Sequence, residues 1–364
     1  MVTFIIFLLI LGILIFVHEF GHFTLAKRLG VKVDEFAFGF KPRLWGIKKG
    51  ETTYAINAIP LGGYVSMYGE EKDRGSRSFM GKPRWARAII LFSGVMMNFV
   101  FAWLIFTAIF IAGFEPLVPG MVQGRGVKVV EPVVINGVEE DSPAYKAGLQ
   151  TNDRIVSVDG QPVGSSLEVI ANIYEKNGRL ATIVVRRDGK EMSLNITPRK
   201  NPPPDTGPLG IELSGGKIGT VWYKAPFVAL DQVGRLSELT VGAFGNFVKN
   251  LFVKHEVSKD VSGMVGVGFA TDVVRRLGFT YVLQFIALIS LSLAVMNLLP
   301  IVPLDGGHLL VLGIEAVRRK KLTENQLQWM GMAGLAFIML LVVITTYSDI
   351  LRFSVWDRIV SLFR

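Results

Sequence analysis

His18-Glu19-Phe20-Gly21-His22 places two imidazoles at i and i+4, on one face of a helix, with a carboxylate between them. That spacing lets the rings share a zinc ion, and lets the glutamate act as a general base on a metal-bound water. The surroundings are unusual for such a pentad. Val2 to Val17 contains no charged residue, and Phe23 to Ala26 continues the apolar run. Three ionisable groups inside a membrane-length segment are costly and point to function. A polar cluster satisfied between helices is the competing structural reading.

Two histidines do not complete a catalytic zinc site, which takes three protein ligands and an open position for water. The chain has no cysteine and four histidines, His18, His22, His255 and His308, so a further ligand comes from imidazole or carboxylate. Asp305 is the best candidate. It follows an apolar stretch in Asn297-Leu298-Leu299-Pro300-Ile301-Val302-Pro303-Leu304-Asp305-Gly306-Gly307, where two prolines break a helix and two glycines permit close backbone approach. Capping of the next helix is the alternative role for Asp305. His308 competes as a ligand or caps that helix. His255, among Lys254, Glu256 and Lys259, reads as a solvated residue.

The chain has 364 residues, 50% of them hydrophobic, and a mean hydropathy of +0.43. Four stretches, roughly 2–26, 88–114, 278–299 and 329–347, are long enough for a hydrocarbon core that takes about 20 residues. The net charge of +9 does not indicate a nucleic-acid partner. Residues 27–87 hold 13 Lys and Arg against 6 acidic residues, whereas 114–277 hold 19 against 18. The excess beside the spans, with Arg318-Arg319-Lys320-Lys321 in the link 305–328, sets both basic loops in the cytoplasm. Both termini and residues 114–277 are then extracytoplasmic. The first residues lack a basic n-region and a cleavage signature, so no removable signal peptide is expected.

Within the first loop, Thr52–Gly69 reads as two short strands joined at Pro60-Leu61-Gly62-Gly63, able to dip toward the bilayer. In the second span, Gly94, Asn98 and Ala102 recur every four residues, a close-packing face that carries one amide. Residues 121–200 read as a separate β-rich domain, with a turn at Asn136-Gly137, strands at Arg154–Val158 and Thr182–Arg187, and a helix at Ser166–Asn177. Asn201–Pro208 is a linker. Ala225–Val253 is amphipathic and lies on the outer membrane surface or against the β-rich domain. The expected division is therefore 1–120, 121–200, 201–277 and 278–364.

The pentad, Gly94-x-x-x-Asn98 and Asn297-x-x-Pro300-x-x-x-Leu304-Asp305-Gly306 together resemble the site-2 protease family of intramembrane zinc metalloproteases. Within it, the chain is similar to the bacterial regulator of sigma-E protease branch. Ser142-Pro-Ala-Tyr-Lys-Ala-Gly148-Leu149 and Asn152-Asp153-Arg-Ile-Val-Ser-Val-Asp159-Gly160 resemble the core signature of a PDZ domain. Tandem PDZ domains are common in that branch, whereas this chain has room for one. The family's Gly-Phe-Gly after the first span stands here as Gly39-Phe40-Lys41, and its usual Gly-Asp in the PDZ turn as Asn152-Asp153.

The resemblance implies Zn2+ held by His18, His22 and Asp305, with Glu19 activating water. It also implies a membrane-associated β-hairpin in Thr52–Gly69 that pairs with an unfolded substrate segment, through Ile56, Asn57 and Ala58, while Gly94, Asn98, Asn297 and Pro300 support the site. The fold class expected is a polytopic α-helical membrane protein with four transmembrane helices, that hairpin and one inserted extracytoplasmic PDZ-like α+β domain. The expected substrate is a single-span membrane protein, already trimmed outside and cut in its transmembrane segment, such as an anti-sigma factor or signal-peptide remnant. The setting is the bacterial inner membrane, the active site lies near its cytoplasmic face, and the chain is a monomer with no nucleic-acid partner. A catalytically silent scaffold presenting a PDZ domain is the alternative, against which the intact His18, Glu19, His22 and Asp305 speak. Transport of a metal would need a polar path through several spans.

Overall fold

The computed structural model describes residues 2–70, 72–118, 121–122, 126–203, 207–254 and 262–352. Four helices are long and apolar enough to cross a membrane: α1 (Val2–Arg28), α2 (Arg84–Ala112), α7 (Phe279–Asn297) and α9 (Glu324–Arg352). They match the four stretches expected from the sequence to within a few residues. In α1, 27 residues at 1.5 Å each exceed a ~30 Å hydrocarbon core, and Lys27 and Arg28 close its last turn. Between α1 and α2 stand β1 (Val33–Lys49) and β2 (Thr52–Met67). The chain then runs through β3 (Lys128–Val138), α3 (Pro143–Lys146), β4 (Arg154–Val158), β5 (Gln161–Pro162), α4 (Ser166–Lys176), β6 (Ala181–Arg187), β7 (Lys190–Ile196) and β8 (Ile211–Gly219). Helices α5 (Ala225–Lys249) and α6 (Met264–Leu277) precede α7, and α8 (Asp305–Arg318) lies between α7 and α9.

The chain divides into two compact units. The first comprises Met1–Ala102, Arg235–Leu277 and Phe285–Arg364. Its sheet corrects the expected pair of short strands joined at Pro60–Gly63, because residues 52–67 form one strand and their partner is β1. The turn between them is at Gly50, whose φ of +64° suits glycine. Both strands fold over, so that Phe36 pairs with Tyr54 on one side and Val65 on the other. Four runs lie side by side as a result: 63–67, 33–38, 53–56 and 45–49. Apolar residues from the end of α1 (Ala26), the sheet (Val33, Phe36, Val65), α2 (Ile90) and α8 (Leu312) pack in one cluster against this sheet.

The second unit comprises Trp103–Gly234 and Gly278–Gln284. Its six-stranded sheet has the order β7-β6-β4-β3-β8, with β5 paired to β4. Ile135, Ile155, Val169, Ile173, Ile183 and Val185 form part of its core, buried from alternate positions of the strands and one face of α4. Two expectations change here. Asn136-Gly137 is not a turn but a bulge inside β3, where the register shifts between Ile135 and Gly137. The sheet does not end at residue 200 either, since β8 pairs with β3 from Val138↔Ile211 to Lys128↔Gly219. Gly215 and Gly216 within that strand have φ of +79° and +89°. Positions 204–206 of the expected linker lie outside the described residues.

In this unit Asp153 is almost fully buried and holds Arg187 by both carboxylate oxygens, at 2.7 Å from Nε and 2.7 Å from Nη2. Burial alone would raise the Asp153 carboxyl; the Arg187 fork and the Gln150 N–H outweigh it and hold the group below its ordinary range. A depressed carboxylate stabilises the fold above the unfolded pKa of about 4 and loses that contribution as pH falls. Asp153→Asn is expected to cost about 2 kcal/mol at pH 7 and progressively less below about pH 4. Amide hydrogen exchange across residues 128–219 of the full chain measures it.

Candidate metal centre and active site

Helical periodicity brings His18 and His22 to one face of α1, and both are buried, at 8% and 6% exposure. Close approach of α2 is what buries them. Gly21 lies against the Ser93 carbonyl, and a Cβ on Gly94 would overlap the His22 ring and stand 2.9 Å from His18 Cε1. Small residues at such a crossing let backbones approach closely. The space at Gly94 is therefore reserved for the two imidazoles.

Asp305 arrives from α8. Its expected alternative role, helix capping, is not the one seen: Leu304 occupies the cap position and no side chain caps the helix. The carboxylate instead faces the histidines. Asp305 Oδ2 lies 3.0 Å from His18 Nε2 and 3.4 Å from His22 Nε2, and the two Nε2 atoms are 3.2 Å apart. Tetrahedral zinc with bonds of 2.0–2.1 Å spaces its ligand atoms about 3.3 Å apart. The three atoms thus form the triangular face that one such ion requires, and Asp305 Oδ2 has no hydrogen-bond partner of its own. Among the described residues this is the one group of three or more His, Asp or Glu side chains able to hold a metal.

The outer nitrogens of the rings are also provided for. His22 Nδ1 donates to the Ile90 carbonyl at 2.8 Å, which leaves Nε2 for a metal. His18 Nδ1 lies 3.4 Å from the Asn98 amide nitrogen. Asn98 is fully buried, and its Oδ1 lacks a partner. A histidine ligating through Nε2 carries its proton on Nδ1 and needs an acceptor there. Half a turn of the Asn98 amide supplies one. Ser290 Oγ donates to the Asn98 carbonyl at 2.9 Å and ties α7 to the same point of α2.

Glu19, next on α1, turns toward the sheet. A Cβ on Gly63 would stand 3.7 Å from Glu19 Cγ. The run beside the acid is therefore 63–67, which has 33–38 as its one registered neighbour. Ile56, Asn57 and Ala58 sit elsewhere. Ile56 pairs with Phe38 and with Trp45, so its backbone is inside the sheet rather than at an edge. Asn57 is buried and donates to the Gly39 carbonyl at 2.9 Å, and Ala58 is exposed. Sequence reasoning missed Gly63–Met67 as the near edge because β1, their partner, carries Pro42 and several basic residues that read as a loop.

Asn297 ends α7 half-buried, and Pro300 is exposed in the break before α8. His308 is exposed on α8, with its backbone N–H bonded to Leu304. His255 lies outside the described residues.

Comparison with known proteins gives the class. The model of peptidase family M50 matches residues 6–341, and the chain belongs to that family, the site-2 proteases. It is a zinc metalloendopeptidase. Among its relatives is the zinc metalloprotease RasP of Oceanobacillus iheyensis, 29% identical over 97% of this chain and 99% of that one. The regulator of sigma-W protease RasP of Bacillus subtilis is 27% identical over 96% and 98%. A Clostridium acetobutylicum chain that carries a zinc metalloprotease name is 31% identical over 94% of this chain and 96% of its own length.

Proposed function

We propose that His18, His22 and Asp305 hold the zinc ion and that Glu19 is the general base in an intramembrane endopeptidase that cuts the transmembrane segment of single-span membrane proteins. The observation that carries this reading is the 3.0, 3.2 and 3.4 Å triangle of ligand atoms on a membrane-length helix, with Glu19 one residue away. Bound zinc supplies a water of lowered pKa and a Lewis acid for the scissile carbonyl. Glu19, one residue from the ligand set, would be the proton acceptor beside the ion those residues would hold, and the donor to the leaving amine. Asn98 and the Ile90 carbonyl keep each imidazole in the tautomer that ligates through Nε2.

A helical substrate hides its carbonyls in i to i−4 bonds and has to unwind before attack. The free side of 63–67 offers replacement backbone hydrogen bonds beside Glu19, the geometry of strand addition. Asn297 and Pro300 end α7 so that α8 can start at Asp305.

His22 is six residues from Arg28, about 9 Å along α1. With the basic loops taken as inside, this supports a centre near the cytoplasmic face of a bacterial inner membrane, and we take both termini and residues 128–219 as outside. We take 128–219 as one PDZ-like domain that screens a trimmed substrate by its new C-terminus or by excluding bulk, and α5 as an amphipathic helix at the outer surface. The name of the Bacillus subtilis relative favours a membrane-bound anti-sigma factor as substrate; a signal-peptide remnant has the same chemistry. The working form is a monomer.

The test is cleavage of a single-span substrate by the purified full chain in detergent, with the cut mapped by mass spectrometry. A cut inside the spanning segment, abolished by a zinc chelator and restored by added Zn2+, is expected. A cut confined to the flanks, or undiminished in chelator, overturns the reading.

A further inference from the structure

The faces of α2 and α8 that carry the metal centre also carry a buried ion pair. On α2, Arg87, Ile90, Gly94 and Asn98 recur at i, i+3, i+7 and i+11, on one side of the helix. Ile90 bonds His22, Gly94 faces both imidazoles and Asn98 faces His18. On α8, Asp305, Leu312 and Glu315 recur at i, i+7 and i+10, and Leu312 packs in the same apolar cluster as Ile90. Each helix therefore presents a metal-site residue at one end of this face and an ion at the other. Arg87 Nη2 and Glu315 Oε2 are 4.0 Å apart, with side chains 6% and 4% exposed.

Energetically this is a poor stabiliser. Two ions have left water, yet Arg87 Nε and Glu315 Oε2 have no hydrogen-bond partner, and 4.0 Å is a long contact. Buried pairs of this kind often stabilise less than an apolar pair of the same volume, and their best-attested use is to fix register. The rest of each side chain is also tied down. Glu315 Oε1 accepts the Leu322 N–H at 3.0 Å beyond the end of α8, and Arg87 Nη1 contacts Met80 Sδ at 3.3 Å. At the other end of α8, Gly306 and Gly307 leave no room for a Cβ against residues 298–302. The helix is thus held at both ends while α2 supplies the surface it registers against.

We infer that Arg87 and Glu315 are positioning residues, whose pairing sets the offset of α8 against α2 and so keeps Asp305 at ligand distance from His18 and His22. The inference rests on the ligand assignment proposed above. In full-length protein in detergent, zinc affinity by chelator competition, thermal midpoint, kcat and KM are measured together. Arg87→Met and Glu315→Gln are expected to weaken zinc binding about tenfold, as loss of a supporting contact around a metal typically does, and to lower kcat with KM unchanged. Arg87→Lys is expected to recover part of both. The apolar pair Arg87→Met with Glu315→Met is expected to regain the thermal midpoint while zinc affinity stays low, which a merely structural pair would not do. Wild-type zinc affinity and kcat in Arg87→Met or in the apolar pair would overturn the inference. His22→Ala separates the two ideas: if it loses zinc while Arg87→Met keeps it, only the positioning role fails, and if it keeps zinc the ligand assignment fails.

Discussion

Glu19→Gln is expected to lower kcat for cleavage of a membrane-spanning substrate about a thousandfold, within the range general-base catalysis supplies, while bound zinc stays at its wild-type level. The substitution keeps the volume and one acceptor oxygen of the side chain, so its packing beside Gly63 is retained. What is lost is the ability to take a proton. Glu19 is not one of the three converging side chains proposed as ligands, which is why zinc content and activity separate in this variant. Metal analysis beside steady-state kinetics makes the comparison. Cleavage at the wild-type rate would assign the base to another residue, and loss of zinc would make Glu19 a ligand.

The second large effect lies with the ligands themselves. His22→Ala and Asp305→Asn are each expected to weaken zinc binding by more than about a hundredfold, beyond what loss of a contact around the ligands costs, and to abolish cleavage. The two variants fail for different reasons. His22→Ala removes one of the three proposed ligand atoms and leaves the Ile90 carbonyl without its donor. Asp305→Asn keeps the shape but removes the negative charge that faces two imidazoles. His308→Ala is the internal comparison, since His308 is exposed on α8 and outside the converging group. It is expected to bind zinc as wild type does. Chelator competition on all three decides the assignment, and unchanged affinity in Asp305→Asn would remove the carboxylate from it.

Much of the centre was visible as local pattern. The i, i+4 spacing of His18 and His22 needs only helical geometry, and a charge-free run from Val2 to Val17 leaves little choice but a long helix. Asp305 stood out because Pro300 and Pro303 end a span just before it. No side-chain bond caps α8, whose cap position belongs to Leu304. The sheet was less legible. Residues 33–49 carry Pro42 and four Lys or Arg side chains, so their strand character depends on partners found on both sides in space. For the same reason Ile56 looked like substrate-binding strand, yet it sits between Phe38 and Trp45. In β8 the paired glycines 215 and 216 interrupt the apolar pattern of a strand that pairs with β3 along its length.

The sequence by itself determined the membrane helices, the chemical kind of the centre and two of its three converging residues, because helix formation in an apolar medium and i, i+4 geometry are local properties. Only the tertiary structure decided that Asp305 meets the histidines, that Gly94 leaves room for their rings, that 63–67 is the strand beside Glu19, and that Arg87 faces Glu315. Each of these joins residues far apart in the chain. Their distances depend on how helices cross and how strands choose neighbours, which follows from side-chain shape on both partners at once.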